Sequence, residues 1–475
     1  MLPKHSEVQS ELEFVNLEDL VPPDHLLRKI DRVIDFRFIR DRVRHLYCSN
    51  NGRPAIDPVV LFKMIFLGYL FGIRSERQLV REIQVNMAYR WFLGLRIQDK
   101  VPDASTISQN RRRRFSESTI YQEIFDEIVC QAIRKKLVDG SVLYTDSTHL
   151  KANANKHKYK KRQVTASTKS YLEDLDASVQ QDRAAHGKKP LKPKKDDNDY
   201  PPTKTIKESR TDPDSGYMVR DGKPKGFFFL DHRTVDGKLS IITDTHVTPA
   251  NVHDSVPYLD RLDYQRQKFG FDVEAVGLDA GYYTAAICKG LEDRDIYGVI
   301  SYCRPHHKKG FLPKRKFIYD RQADVYHCPG DQVLRYRTTS REGYRHYASD
   351  GIRCKHCPLL EQCTESANHV KVITRHVWQD SKDRVDFHRL TERGKAIYRR
   401  RKETVERSFA DAKQLHGHRY ARMRGLNKVR EQCLLAAACQ NMKKIALALT
   451  NNLFWPLIRP ENRQKTGYKD LQIAF

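Results

Sequence analysis

The chain has 475 residues, 39% of them hydrophobic and 31% charged, enough for a sizeable core and two or three domains. Lys and Arg total 86 against 60 Asp and Glu, a formal charge of +26 that points to a polyanionic partner, nucleic acid before an anionic membrane. No apolar run reaches the ~18–20 residues of a membrane span, the N-terminus lacks a secretion signal's apolar core, and the 10 scattered cysteines fit free thiols plus a metal site better than a disulfide framework; the expected compartment is cytoplasmic.

In chain order, a polar lead and the turn Pro22-Pro23-Asp24 precede a helical stretch from about His25 to Tyr47. Asp57-Pro58 reads as an N-cap with proline at the first helical position. It opens a strongly apolar helix through Leu61, Phe62, Ile65 and Leu70, which Gly72 ends. Ser75 caps a helix to about Ile83, and Met87 to Leu93 forms another. Asp103 and Ser105 start a helix that runs into Arg111, Arg112, Arg113 and Arg114. Short helices, tight turns and a terminal Arg cluster fit a helix-turn-helix DNA-binding module, and they equally fit a helical bundle with a solvated Arg face. An amphipathic helix, Phe115 to Leu137, leads through Asp139-Gly140 into a short buried strand, Val142 to Thr145, with Asp146 at its exit.

Residues 151–215 are Lys-rich and poor in large aliphatics. They read as an insertion with one helix, about Thr168 to Ala185, and a flexible basic arm. In that arm Lys156, Lys160 and Lys161 either contact DNA phosphates or solvate a linker. Globular texture returns at 216–301. Strands Phe227–Arg233 and Leu239–Thr245 flank the Asp236-Gly237 turn. Then come a helix from Asp254 to Lys268, a strand from Val273 to Leu278 ending at Asp279, a helix from Thr284 to Arg294 and a strand from Ile296 to Tyr302. Early hairpins followed by crossovers give the order of an α/β, RNase H-like mixed sheet flanked by helices. Residues 303–385, with Cys328, Cys354, Cys357 and Cys363, interrupt it before a long helix from Phe387 to about Leu415, another from Asn427 to Leu449, and an irregular tail. The expected domains are 1–138, an all-helical DNA-binding module; 139–302, the first part of a catalytic core carrying the 151–215 insertion; 303–385, the cysteine-containing insertion; 386–450, the helical last part of the core; and 451–475, the tail.

Asp146 and Asp279 leave strands that are neighbours in such a sheet, so their carboxylates converge at one edge. Glu406 lies beside the stripe Val405, Phe409, Ala412, which would dock its helix on the sheet; a surface glutamate paired with a neighbouring Arg or Lys is the plainer alternative. Lys413, seven residues on, shares that face and could meet a phosphate. Three carboxylates suit Mg²⁺, which prefers oxygen ligands, and two-metal phosphoryl transfer. No Ser/His/Asp signature, Walker loop or dinucleotide-binding loop competes. Cys354-x2-Cys357-x5-Cys363 with Cys328-Pro329-Gly330 upstream has zinc-ligand spacing; four reduced thiols are the alternative, and His327 and His356 are substitute ligands. His253 is either a structural histidine or an active-site contact.

Tyr144-Thr145-Asp146-Ser147-Thr148, Gly277-Leu278-Asp279-Ala280-Gly281-Tyr282, and Tyr398-x2-Arg401 leading to Val405-Glu406-x2-Phe409-x3-Lys413 resemble the DDE transposases of bacterial insertion sequences, most closely the insertion-sequence 1182 group. The resemblance extends over nearly the whole chain, including Pro249 to Asp254. It implies Asp146, Asp279 and Glu406 as ligands of Mg²⁺ or Mn²⁺, with Tyr398, Arg401 and Lys413 as helpers. It also implies binding of double-stranded DNA at terminal inverted repeats, strand cleavage, transfer to target DNA, and a homodimer in the DNA complex. One departure is plain: the commonest family signature has Arg four residues before Glu, where this chain has Lys402, and Arg401 is five before. A nuclease of the same fold that does not join strands, and a DNA-binding protein with an inactive core, remain as alternatives.

Overall fold

The computed structural model describes residues 14–48, 55–165, 172–191, 203–219, 222, 224–302 and 308–450. The polar N-terminal lead, the end of the Lys188–Lys195 run and the 451–475 tail lie outside the described residues. No helix among the described residues is long and apolar enough to cross a membrane.

The N-terminal part consists of helices, the principal ones being Leu26–Val33, Phe38–Val43, Pro58–Leu70, Glu76–Val85, Met87–Leu93, Ala104–Arg113 and Ile120–Arg134. Their starts follow the caps. Asp57 accepts the Val59 N–H at 2.8 Å ahead of Pro58, Ser75 accepts that of Gln78 at 3.3 Å, and Asp103 that of Ser105 at 2.7 Å, each cap contributing about 1 kcal/mol. Pro58–Leu70 is apolar on nearly all sides and buries every residue from Leu61 to Leu70 except Lys63, the pattern of a helix enclosed by others. Phe62 and Phe66 belong to the same buried cluster as Leu143, Val276, Leu278 and Leu435, so the helical part and the sheet share one core. The expected helix from Phe115 to Leu137 is shorter, Ile120–Arg134: Phe115 is buried in the preceding turn, and Lys136, at φ +58°, stops the far end.

The sheet holds β1 (Val142–Lys151), β2 (Tyr159–Thr165), β3 (Thr203–Ser209), β4 (Gly216–Met218), β5 (Gly226–Asp236), β6 (Ile242–Pro249), β7 (Ala275–Leu278) and β8 (Tyr297–Ile300). Its path is β2-β3-β4-β5-β1-β7-β8, with β6 also on β5. β5 pairs antiparallel with β1, β4 and β6, whereas β1–β7 and β7–β8 are parallel. Helix Leu426–Thr450 packs on β6 and on helices Leu26–Val33, Pro58–Leu70 and Ile120–Arg134.

Four expectations need correction. Asp146 is not at the exit of a short strand. β1 runs ten residues, because β5 keeps pairing with it from Asp236 opposite Leu143 to Phe228 opposite Lys151. Nor is 151–215 mainly a flexible arm: β2 and β3 pair from Tyr159↔Ser209 to Thr165↔Thr203, and Lys160 and Arg162 both bind Glu208, at 2.9 and 2.8 Å. Its helix is Leu172–Ala185. The cysteine-containing region is a five-stranded antiparallel sheet between Ile318 and His376, built on Phe317, Tyr326, Leu334, Tyr347 and Ile373. Helix Leu172–Ala185 docks there through Asp182, bonded to Arg345 at 2.7 Å and Thr339 at 2.6 Å. Finally, the long helix is broken. Gln379–Leu390 ends at Thr391, which caps Glu392–Arg400 by accepting the Gly394 N–H at 3.0 Å; a π-helical turn, Lys402–Glu406, then leads into Arg407–Leu415.

Candidate active site

The parallel ladder between β1 and β7 ends at Thr145↔Leu278, so Asp146 and Asp279 are the next residues on two adjacent strands. Gly277 leaves room on β7 for the Tyr144 ring: a Cβ there would lie 2.7 Å from its Cδ1. The Glu406 helix is docked from the other side of β1. Val405 and Phe409 are buried. Arg233 on β5, paired opposite Asp146, holds its guanidinium 5.1 Å from the Phe409 ring and donates to Ser408 Oγ at 3.3 Å.

One guanidinium lies among the three carboxylates. Arg401 approaches Asp146 at 2.9 Å, Asp279 at 3.7 Å and Glu406 at 3.8 Å, and its side chain is 3% exposed. The carboxylates themselves stay open, at 22%, 52% and 47%. The π turn makes this possible. In an α-helix, residues five apart point about 140° away from each other. Here the Glu406 N–H donates to the Arg401 carbonyl at 3.1 Å, an i→i+5 bond that widens the turn and returns the fifth residue to the same face. The unusual Arg–Glu spacing and the unusual backbone compensate each other.

Burial pushes the Asp146 carboxyl up to about 6, against the pull of Arg401 and of the Ser147 N–H; Asp279 and Asp254 push it up further. Such a group is short of positive charge, which a bound cation supplies. Asp254 is a member of this site that the sequence reading passed over: its Oδ1 accepts from Ser147 Oγ at 2.8 Å. The neighbouring His253 is exposed and bonds Ser255 at 2.8 Å. The signal was the Ser147 hydroxyl, one residue from Asp146. Tyr398 accepts from Arg401 at 3.4 Å. Lys413 is half-buried on Arg407–Leu415.

The arginine run does not stay together. Arg111 is turned inward, paired with Glu76 and, at 2.7 Å, with Glu431, and only 15% exposed, so it does not belong to a solvated Arg face. Arg114 stacks on Tyr47 at 4.2 Å and donates to Asn110. Arg112 and Arg113 are exposed, as are Lys156, Lys160 and Lys161.

Cys328, Cys354, Cys357 and Cys363 are free thiols lining one cavity of about 20 Å³. The N–H groups of Gly330 and Gln332 point at Cys328 Sγ, at 3.4 and 3.3 Å. The four sulfurs are not drawn tightly together: among the described residues, the one set of three ligand atoms within 4.8 Å of one another is Asp231, His418 and Cys433, all buried. That set is an ion-pair network. Arg233 and His418 each reach Asp231 Oδ2 at 2.9 Å, and Thr245 donates to Oδ1 at 2.6 Å, holding Asp231 well below the usual carboxylate range despite its burial.

Residues 15–113 match the family described as Transposase domain (DUF772), and residues 327–446 match the family described as Transposase DDE domain. The second match contains the four cysteines, Tyr398, Arg401, Glu406 and Lys413; Asp146 and Asp279 fall outside both. Among solved structures, the cryo-EM piggyBac transposase synaptic complex with hairpin DNA is similar over 92% of this chain and 82% of that chain, at 11% identity and a TM-score of 0.28. No curated protein matches the chain.

Proposed function

We propose that this chain, which belongs to the DDE transposases of insertion sequences, cuts DNA at the terminal inverted repeats of its element and joins the freed 3′-hydroxyl to target DNA, using Asp146, Asp279 and Glu406. The observation that carries this reading is the approach of all three carboxylates, from β1, the end of β7 and a docked helix, to the one Arg401 guanidinium. The order β6-β5-β1-β7-β8, two antiparallel pairings followed by two parallel ones, supports an RNase H-like reading of the sheet.

Carboxylate oxygens in an open, polar site fit Mg²⁺ or Mn²⁺. Bound there, the cations supply activation of the attacking hydroxyl and stabilisation of the leaving oxygen. The chain's own contribution is position. Asp146 and Asp279 are fixed by adjacent strands, and the Ser147 N–H orients Asp146. Arg401, steadied by Tyr398, offsets the carboxylates' mutual repulsion, and Lys413 meets a phosphate. The N-terminal helices recognise the element end, and two chains hold the two ends together.

The test supplies the protein with Mg²⁺, a duplex made from the DNA bordering its gene, and a supercoiled target plasmid. Joined end–target product is expected. Cleavage without joining reduces the activity to that of a nuclease, and end binding without cleavage leaves a DNA-binding protein with an inactive core.

The reading includes a structural Zn²⁺ at Cys328, Cys354, Cys357 and Cys363, supported by four thiols on one small cavity and by the two N–H groups that orient Cys328 Sγ. Elemental analysis of unchelated protein is expected to give about one zinc per chain. Replacing Cys354 and Cys357 together with Ser is expected to remove it and to loosen the small sheet around Tyr347. Metal-free protein straight from purification refutes this part of the reading without touching the catalytic one.

A further inference from the structure

We propose that duplex DNA of the element end lies in the cleft between helices Glu76–Val85 and Ala104–Arg113 and the start of helix Leu426–Thr450, held by Arg77, Arg81, Arg112, Lys428 and Arg430, and that Tyr420, flanked by Arg74 and Lys151, continues this contact to β1. The proposal rests on the transposase reading and gives it a surface.

The cleft has a volume of about 1570 Å³. Its lining carries eight arginines and lysines against four acids. Of the acids, Glu76 and Glu431 share the inward-turned Arg111, Asp103 caps its helix, and Glu117 is exposed. Arg77, Arg81 and Arg112 line the same cleft, are exposed, and form no ion pair among the described residues. Cations in excess on one concave surface repel one another, and a polyanion relieves that repulsion. Ser75, Ser105, Ser108 and Ser116 add hydroxyls along the lining. Guanidinium groups with hydroxyl donors are the side chains that grip phosphate and sugar and fix register on a duplex.

Arg74 on the cleft lining reaches Tyr420 beside it. Tyr420 is 47% exposed, with Arg74 at 5.4 Å and Lys151 at 5.8 Å from its ring. Lys151 is the last residue of β1. Asp146 lies five residues back on the same strand, roughly 17 Å away, within half of the ~34 Å turn of a DNA duplex. The two regions are also clamped together: the Leu415 carbonyl at the end of the Glu406 helix sits 2.9 Å from where a Cβ on Gly72 would be, and Gly72 has a φ of +67° that glycine adopts freely.

The experiment uses the full chain with two duplexes, one from the DNA bordering the gene and one of random sequence. In the variant Arg77→Gln/Arg81→Gln/Arg112→Gln, the slope of log affinity against log salt is expected to shrink by about 0.9 per lost phosphate contact. Lys160→Gln/Lys161→Gln serves as the comparator, with a smaller change expected. On the wild-type protein, phenylglyoxal labelling read by mass spectrometry is expected to find Arg77, Arg81 and Arg112 shielded by either duplex; this arm needs no variant to fold. Unchanged slope, or equal labelling with and without DNA, overturns the proposal. So does stronger shielding by polyglutamate than by DNA, which assigns the cleft to an acidic protein instead. Wild-type protein that cleaves end DNA while these arginines stay labelled refutes the cleft alone, whereas shielding without metal-dependent cleavage refutes the catalytic reading alone.

Discussion

Asp146→Asn, Asp279→Asn and Glu406→Gln are each expected to lower metal-dependent cleavage of element-end DNA by ~10³-fold or more. Each removes an anionic oxygen from the proposed metal site, where bound ions would contribute several kcal/mol to the transition state, at about 1.4 kcal/mol per tenfold. End-DNA binding, carried by phosphate contacts elsewhere, is expected to stay within about twofold. Cleavage on sequencing gels and binding by anisotropy, measured on the same preparations, separate the two quantities. None of the three variants is expected to lose stability. Asp146 is the nearest partner of the buried Arg401, at 2.9 Å, yet burial pushes its carboxyl up to about 6, so its charge is held at a net cost and Asp146→Asn is expected to leave the thermal midpoint unchanged or raise it. The half-exposed Asp279 and Glu406 lie at 3.7 and 3.8 Å, and their substitution leaves the midpoint nearly unchanged. A variant that retains wild-type cleavage takes its residue out of the metal set.

Arg111→Ala is expected to destabilise the fold by about 3–5 kcal/mol, the usual result of stripping one partner from a buried ion pair. Glu431 is 7% exposed, and without Arg111 its charge is stranded in the core. A fall of several degrees in the melting midpoint follows. The double change Arg111→Met/Glu431→Leu is expected to recover most of that loss, because an apolar pair of similar volume needs no desolvated partner. Thermal unfolding of the single and double variants checks both statements; a single variant as stable as wild type shows that the pair contributes nothing. Neutralising Arg111 to Arg114 as a block therefore mixes unfolding with lost DNA contact, and only Arg112 and Arg113 are suited to that experiment.

The sequence carried the local signals well. Asp57, Ser75 and Asp103 marked helix starts because a cap is a contact within three residues. Asp146 and Asp279 could be paired because strand order places their strands side by side. Other features had no local signature. β1 continues through the polar stretch Asp146–Lys151 because its partner β5 is long, which nothing in β1 itself announces. The Lys-rich β2 resembles a solvated arm in composition, yet it is a strand because β3 offers a ladder; strand formation depends on the neighbour more than on propensity. Arg111 looks like its three successors until Glu76 and Glu431, far away in sequence, fold against it. Arg401 looked displaced by one position because counting residues assumes an α-helix, and the π turn between Arg401 and Glu406 changes the count that matters.

Because Phe62, Phe66, Leu143 and Leu435 share one buried cluster, the N-terminal helices cannot be exchanged as a cassette. A chimera joined between Arg134 and Val142 would present two mismatched apolar faces and lose the fit of Leu415 against Gly72. A new DNA preference at the proposed cleft is then reached by point changes on its surface, residue by residue, rather than by shuffling of parts.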